Sequence, residues 1–192
     1  MSEEIEIEFK NMLTQAEYDL IYQSLDLSHV PAIYQVNSYF DQEAILADHG
    51  IAVRLRLADQ QAEITLKHGQ LDHQNIEINQ PISLSKAQKI MAAACLDLPD
   101  TLVGYLNKVG IDNLYKLKQT GRFQTKRYQV NYQDQLLVLD QVNFGTSQDY
   151  ELEMEVNDYE LGSHTFNACL DYFKIPRRPS QPKVKRMKDS IN

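Results

Sequence analysis

Charge recurs at every second position through the strand-like segments of this chain, and its sign is sorted along the sequence. At the N-terminus Glu4, Glu6, Glu8 and Lys10 alternate with Ile5, Ile7 and Phe9. Successive side chains of a strand point to opposite faces, so this segment has one apolar face and one charged face. Ile51 to Leu57 sets Arg54 and Arg56 against Val53, Leu55 and Leu57, and Glu63 to Lys67 sets Glu63, Thr65 and Lys67 against Ile64 and Leu66. Gln74 to Asn79 opposes Glu77 to Ile76 and Ile78, and Tyr150 to Val156 opposes Glu151, Glu153 and Glu155 to Leu152, Met154 and Val156. A lone segment of this kind is a half-buried antiparallel strand with its polar side in water. The set demands more. Acids fill the first and last segments while Arg and Lys occupy intervening ones, and like charges opposite one another on a sheet repel.

Asn37 to Asp41, Leu114 to Lys118, Phe123 to Val130 and Leu136 to Asp140 complete about eight antiparallel strands. Helices interrupt them. Thr14 with Glu17 forms a capping box for a helix through Leu20, Ile21 and Leu25, and Ser85 with Gln88 forms a second before an alanine-rich run that Pro99 stops. A shorter helix covers Thr101 to Lys108, and a helix capped by Ser163 buries Phe166, Cys169, Leu170 and Phe173. No repeat or long linker divides the chain, so one α+β domain over residues 1–192 is expected. Gly121 invites a bulge, which leaves the faces of Lys116, Lys118, Arg122 and Lys126 open. His68 and His73 flank an expected surface turn, and Tyr39 reads as a core aromatic.

Closing the strands into a barrel removes both sheet edges and sets the first strand near the last. Glu6 and Glu8 then meet Glu151, Glu153 and Glu155. Carboxylates confined together repel unless protons or cations intervene, and a set without His or Cys suits hard oxygen-loving cations such as Mg²⁺ or Mn²⁺. The Arg and Lys side chains of the intervening strands line the same cavity, which is matched to a polyanion bound as its metal complex. Triphosphate is the obvious candidate.

The formal net charge of −8, from 27 Asp and Glu against 19 Lys and Arg, argues against nucleic acid as partner. It does not oppose a small metal-bound polyanion, because the average conceals inward-facing cations. No apolar run approaches the ~18 residues of a membrane span, and the opening Met-Ser-Glu-Glu lacks signal-peptide features, so a cytoplasmic protein without a membrane partner is expected. Cys95 and Cys169 read as buried free thiols within helical patterns. The chain carries no GxxxxGK[ST], HExxH or GxSxG motif, so a triphosphate must be held by side chains.

Glu6-Ile7-Glu8-Phe9-Lys10 is an ExExK motif, and with Tyr39-Phe40-Asp41, Arg54-Leu55-Arg56, Ile64-Thr65-Leu66-Lys67, Thr125-Lys126-Arg127, Leu139-Asp140 and Tyr150 to Glu155 it resembles the CYTH superfamily, the triphosphate tunnel metalloenzymes. The likeness covers nearly the whole chain and is greatest to small bacterial single-domain members. It implies an eight-stranded antiparallel closed β-barrel, or tunnel, with helices packed outside. It also implies Mg²⁺ or Mn²⁺ held by Glu6, Glu8 and two of Glu151, Glu153 and Glu155, with catalytic roles for Glu6, Glu8 and Lys10. Arg54, Arg56, Lys67 and Arg127 grip phosphate oxygens in this reading, and Lys10 either joins them or orients or deprotonates the attacking water. Lys183 and Arg186 match the family's basic C-terminal element, although Pro182 stands where a serine is common; a solvated basic terminus is their alternative. The implied reaction is hydrolysis of inorganic, thiamine or nucleoside triphosphate. Its alternatives are a class IV adenylate cyclase and a non-catalytic triphosphate-binding module. Monomer and homodimer both remain open.

Overall fold

A computed structural model describes residues 2–70 and 73–191; the side chains of residues 2–4 and 191 lie outside that description. The charged-face reading of Glu4 and the centre of the turn between His68 and His73 therefore fall outside the described residues. Strands β1 (Ser2–Leu13), β2 (Ile33–Asp41), β3 (Ile51–Ala58), β4 (Gln61–Gly69), β5 (Gln74–Ile82), β6 (Cys95–Asp97), β7 (Lys116–Tyr132), β8 (Gln135–Asn143) and β9 (Gln148–Val156) carry the architecture. Helices α1 (Gln15–Ser24), α2 (Ile45–Asp48), α3 (Leu84–Ala93), α4 (Asp100–Lys108), α5 (Tyr159–Tyr172) and α6 (Lys183–Ile191) lie between and after them. The strand order is β2-β3-β4-β5-β1-β9-β8-β7-β6 with an additional β2–β7 pairing, which makes the expected closed eight-stranded antiparallel barrel, with β6 added on β7. Among the described residues, no helix is long and apolar enough to cross a membrane.

Contacts group the chain into two units. The first holds residues 36–70 and 75–122 with the start of the chain. Its β3, β4 and β5 pair in the register Arg54↔Thr65↔Asn79, which puts Val53, Leu55, Ile64, Leu66 and Ile78 on one face. That face is buried with Ala87 and Ile90 of α3 and Leu102 and Leu106 of α4. Burial of such side chains contributes roughly 1.5–3 kcal/mol each. The second unit holds residues 6–35, 73–74 and 123–191. Phe9, Leu139, Leu152 and Met154 of its strands form one core with Tyr18 and Ile21 of α1 and Phe166, Cys169 and Leu170 of α5. In both units helices pack on the apolar strand faces.

Local chemistry accounts for the boundaries. The Thr14–Glu17 capping box is present, with Thr14 N–H donating to Glu17 at 2.7 Å and Glu17 N–H donating to Thr14 Oγ1 at 3.3 Å. Ser83 rather than Ser85 caps α3, accepting from Lys86 N–H at 3.2 Å. That helix stops at Ala94 in the left-handed region (φ 49°), which turns Cys95 out of the expected helix and into β6. Pro99 therefore does not end α3; its carbonyl accepts from Leu102 and Val103 N–H and so begins α4. Asp158 rather than Ser163 caps α5, accepting from Leu161 N–H at 2.8 Å. The two strands expected around Gly121 are one continuous β7. Pro182 begins α6 by the same carbonyl device, accepting from Lys185 and Arg186 N–H, and the basic stretch read as a tail is helical. Both cysteines are free, Cys169 buried and Cys95 half-buried.

Gly162 packs in the first turn of α5 so closely that an added Cβ would lie 2.5 Å from a Val156 methyl. Gly162→Ala is expected to cost about 1–3 kcal/mol by overpacking, read as a lower urea midpoint, and Val156→Ala in the same chain should recover part of it.

Candidate active site

The second unit gathers charge where a sheet ordinarily excludes it. Across β7, β8 and β9 the register sets Arg127 opposite Asp140 and Asp140 opposite Glu151, while β1 sets Lys10 opposite Glu153. Asp140 and Glu151 are 0% exposed and Glu153 2%, and Glu8 and Arg127 are also buried. Charged side chains are almost never so buried unless paired, because desolvation must be offset by geometry. Here it is. The Arg127 guanidinium donates to both oxygens of Asp140 at 2.8 and 2.7 Å and to Glu153 at 2.7 Å. Lys10 Nζ lies 2.9 Å from Glu8 and 3.3 Å from Glu153.

Helix α6 adds two more cations to the same group. Lys183 Nζ lies 2.5 Å from Glu151, 2.5 Å from Glu153 and 3.0 Å from Asp140, and Arg186 binds Glu151 at 2.7 Å and Asp149 at 2.8 Å. Ser180 Oγ donates to Glu151 as well. Burial pushes the carboxyls of Asp140 and Glu153 up. Arg127 and Lys183 outweigh this and lower Asp140, and Lys10, Lys183 and Arg127 hold Glu153 well below its ordinary value. Burial likewise lowers Lys10 and Lys183, yet the surrounding carboxylates raise both ammonium groups. Asp140, Glu153, Lys10 and Lys183 are thus each shifted toward the charged form.

Asp140, Glu151 and Glu153 each offer an oxygen within 4.8 Å of the others, and all three residues are buried. An all-oxygen donor set without imidazole or thiolate fits a hard divalent cation such as Mg²⁺ or Mn²⁺.

The first unit carries a different polar face on β3, β4 and β5. The Arg54 guanidinium donates to Thr65 Oγ1 at 3.4 Å, and Thr65 Oγ1 donates to Asn79 at 2.8 Å. Lys67 pairs with Glu77 at 3.0 Å, while Arg56 donates to Asn37 at 3.2 Å and lies 3.8 Å from Glu63. The Arg54 Nε is buried with no hydrogen-bond partner. A buried guanidinium N–H of this kind calls for an acceptor, and a phosphate oxygen is a good one. Burial raises the Glu77 carboxyl, but Lys67 and Arg54 overcome that and lower it. A carboxyl depressed on folding adds stability above its unfolded pKa of about 4.3 and loses it as pH falls through the folded value. Glu77→Gln is thus expected to cost on the order of 1–2 kcal/mol at pH 7. The difference from wild type should shrink below about pH 4 in urea titrations, as Glu77 itself becomes protonated.

Of the residues named from the sequence, Glu8, Lys10, Arg127, Glu151, Glu153, Lys183 and Arg186 meet in one ion-pair network of the second unit. Glu6 is half-buried, and Glu155 sits opposite Glu8 in the register; both lie outside the three-carboxylate cluster. Arg54, Arg56 and Lys67 share one face of the first unit. Lys116, Lys118 and Arg122 are exposed, and Lys126 lies over the Tyr128 ring. His68 is half-buried and bonded to the Tyr105 hydroxyl at 2.7 Å, so it is not the surface residue expected. Tyr39 is half-buried. Asp140, Asp149 and Ser180 were missing from the sequence-derived site; Asp140 shares its strand face with Leu136 and Val138, which gives the alternation no charge to follow.

The profile of the CYTH domain matches residues 4–187. A Bacillus subtilis strain 168 protein named "Putative triphosphatase YjbK" is 33% identical over 188 residues, covering 97% of this chain and 95% of its own length. The crystal structure of a "putative adenylate cyclase" from Bacillus halodurans is 27% identical with a TM-score of 0.86, over 97% of this chain and 98% of that one. A Hippeastrum protein shares the fold at 22% identity, with a TM-score of 0.70 over 98% and 96% of the two chains.

Proposed function

The chain belongs to the CYTH domain family, and from that premise we propose that it is a metal-dependent triphosphatase acting on inorganic triphosphate or a small organic triphosphate. The observation that carries this reading is the buried group of Asp140, Glu151 and Glu153, laced with Lys10, Arg127 and Lys183. Structural cores avoid such a set, because well-packed apolar residues of similar volume are often at least as stable. The name of the Bacillus subtilis relative points the same way.

Asp140, Glu151 and Glu153 would hold Mg²⁺ or Mn²⁺, with Glu8, and Glu6 and Glu155 on the same alternating faces, completing the acidic surround. When bound, the cation neutralises phosphate charge and makes water a better nucleophile. Arg54, Arg56 and Lys67 bind non-bridging phosphate oxygens, and the unpartnered Arg54 Nε supports that role. Arg127 locks Asp140 and Glu153 in place, and Lys10, already paired with Glu8 and Glu153, supplies positive charge to the phosphoryl group. In the reaction the water oxygen bonds to the terminal phosphorus as the bridging P–O bond breaks. The diphosphate part leaves with that electron pair, and a proton passes to solvent.

Arg56→Ala is expected to lower kcat/KM for phosphate release by about 100-fold, in line with loss of one preorganised donor. The name of the Bacillus halodurans relative favours a second reading, adenylate cyclisation. Incubation with ATP under Mg²⁺ and Mn²⁺ separates the two: ADP with orthophosphate supports the hydrolase, and cyclic AMP with pyrophosphate supports the cyclase. A parallel screen of tripolyphosphate, thiamine triphosphate and nucleoside triphosphates identifies the substrate, and no turnover of any of them would overturn the proposal.

A further inference from the structure

We propose that the Lys183 ammonium is the cluster's own counter-cation, seated among Asp140, Glu151 and Glu153 until a divalent cation displaces it. The inference rests on the metal-binding reading above and concerns what that binding must expel.

An ammonium has three N–H donors and no acceptor. Lys183 Nζ is placed to use all three, at 2.5 Å from Glu151, 2.5 Å from Glu153 and 3.0 Å from Asp140, which are the same three carboxylates whose oxygens lie within 4.8 Å of one another. A Mg²⁺-sized ion needs those oxygens at about 2.1 Å and near-octahedral order. It therefore competes for the position that Nζ fills. The position among these three oxygens therefore holds one or the other.

The way the C-terminal segment is tied down agrees with an exchange at Lys183. Upstream, residues 176–178 are anchored independently of the three carboxylates: Asn11 donates to the Pro176 carbonyl, Arg178 N–H donates to Asn11, and the Arg178 guanidinium grips Glu17 at 2.7 and 2.9 Å. Downstream, Met187 is fully buried and Thr146 Oγ1 donates to the Ser190 carbonyl. The C-terminal segment is thus held on both sides of Lys183, and the ammonium can withdraw on its own flexible stem without the segment coming away. Once withdrawn, it is a mobile cation beside the metal, positioned for an incoming polyanion. In this account Lys183 is a positioning residue that keeps the acidic cluster assembled and tunes how readily metal enters.

The test measures Mn²⁺ binding by the electron paramagnetic resonance of free Mn²⁺, without substrate, in wild type and Lys183→Met. The proposal predicts at least a tenfold tighter Mn²⁺ affinity in the variant. A second measurement uses wild type alone and so holds if the variant fails to fold: amine acetylation mapped by mass spectrometry, with exposed Lys116 as the reference. Lys183 should be protected without metal and at least several-fold more reactive with saturating Mg²⁺, while Lys116 is unchanged. Equal or weaker Mn²⁺ binding in Lys183→Met, or Lys183 labelling indifferent to Mg²⁺ that binds, overturns this inference and leaves the metal site standing. Absence of Mn²⁺ binding in both proteins overturns the metal site and this inference together.

Discussion

Glu153→Gln is expected to lower metal-dependent phosphate release by more than about 100-fold and to weaken Mn²⁺ binding in the same protein. Glu153 accepts from Arg127 at 2.7 Å, is paired with Lys183 at 2.5 Å and lies 3.3 Å from Lys10, and it is one of the three clustered carboxylates. An amide keeps its shape but removes the charge and turns an N–H₂ toward three cations. Steady-state release from tripolyphosphate against Mg²⁺ concentration reads both effects. A merely structural Glu153 would lower the melting temperature and leave the metal dependence of the remaining activity unchanged.

The second large effect is on stability. Arg127→Met leaves Asp140 and Glu153 buried without the guanidinium that grips both, and breaking one side of a buried ion pair costs about 3–5 kcal/mol. Urea unfolding in chelator should show that loss. Adding Asp140→Leu removes the stranded charge and should recover part of it, since replacing both partners by apolar groups is often neutral or better. A loss under about 1 kcal/mol in Arg127→Met would mean that the pair is worth no more than a surface salt bridge.

The charged faces were legible because a strand's period is two: β1, β3, β4 and β9 needed only alternation to sort Glu8, Arg54, Lys67 and Glu151 from their apolar neighbours. Asp140 was not legible as a site residue, since its company depends on the register Arg127↔Asp140↔Glu151 across three strands. The same holds for Asn79 and Glu77, which meet Thr65 and Lys67 only through the β4–β5 register. Two helix starts were misplaced because Ser85 and Ser163 had the right side chains while Ser83 and Asp158 had the right backbone to accept from the first turn. Gly121 read as a break, yet a glycine in a strand interior is tolerated where both neighbouring segments pair, and β7 runs through it. The C-terminal Lys183 and Arg186 were recognisable as basic, but their burial against Glu151 follows from where Asn11 and Glu17 hold the preceding chain.

Hydrolysis of a triphosphate with a divalent cation at the acidic cluster, as proposed, leaves a simple signature in the products. Phosphorus NMR of tripolyphosphate with the protein and Mg²⁺ follows them. Orthophosphate and pyrophosphate are expected in equal amounts as tripolyphosphate disappears, with the reaction stopped by chelator and nearly absent in Glu153→Gln. Equal rates with chelator and with Mg²⁺, or in Glu153→Gln and wild type, would contradict it.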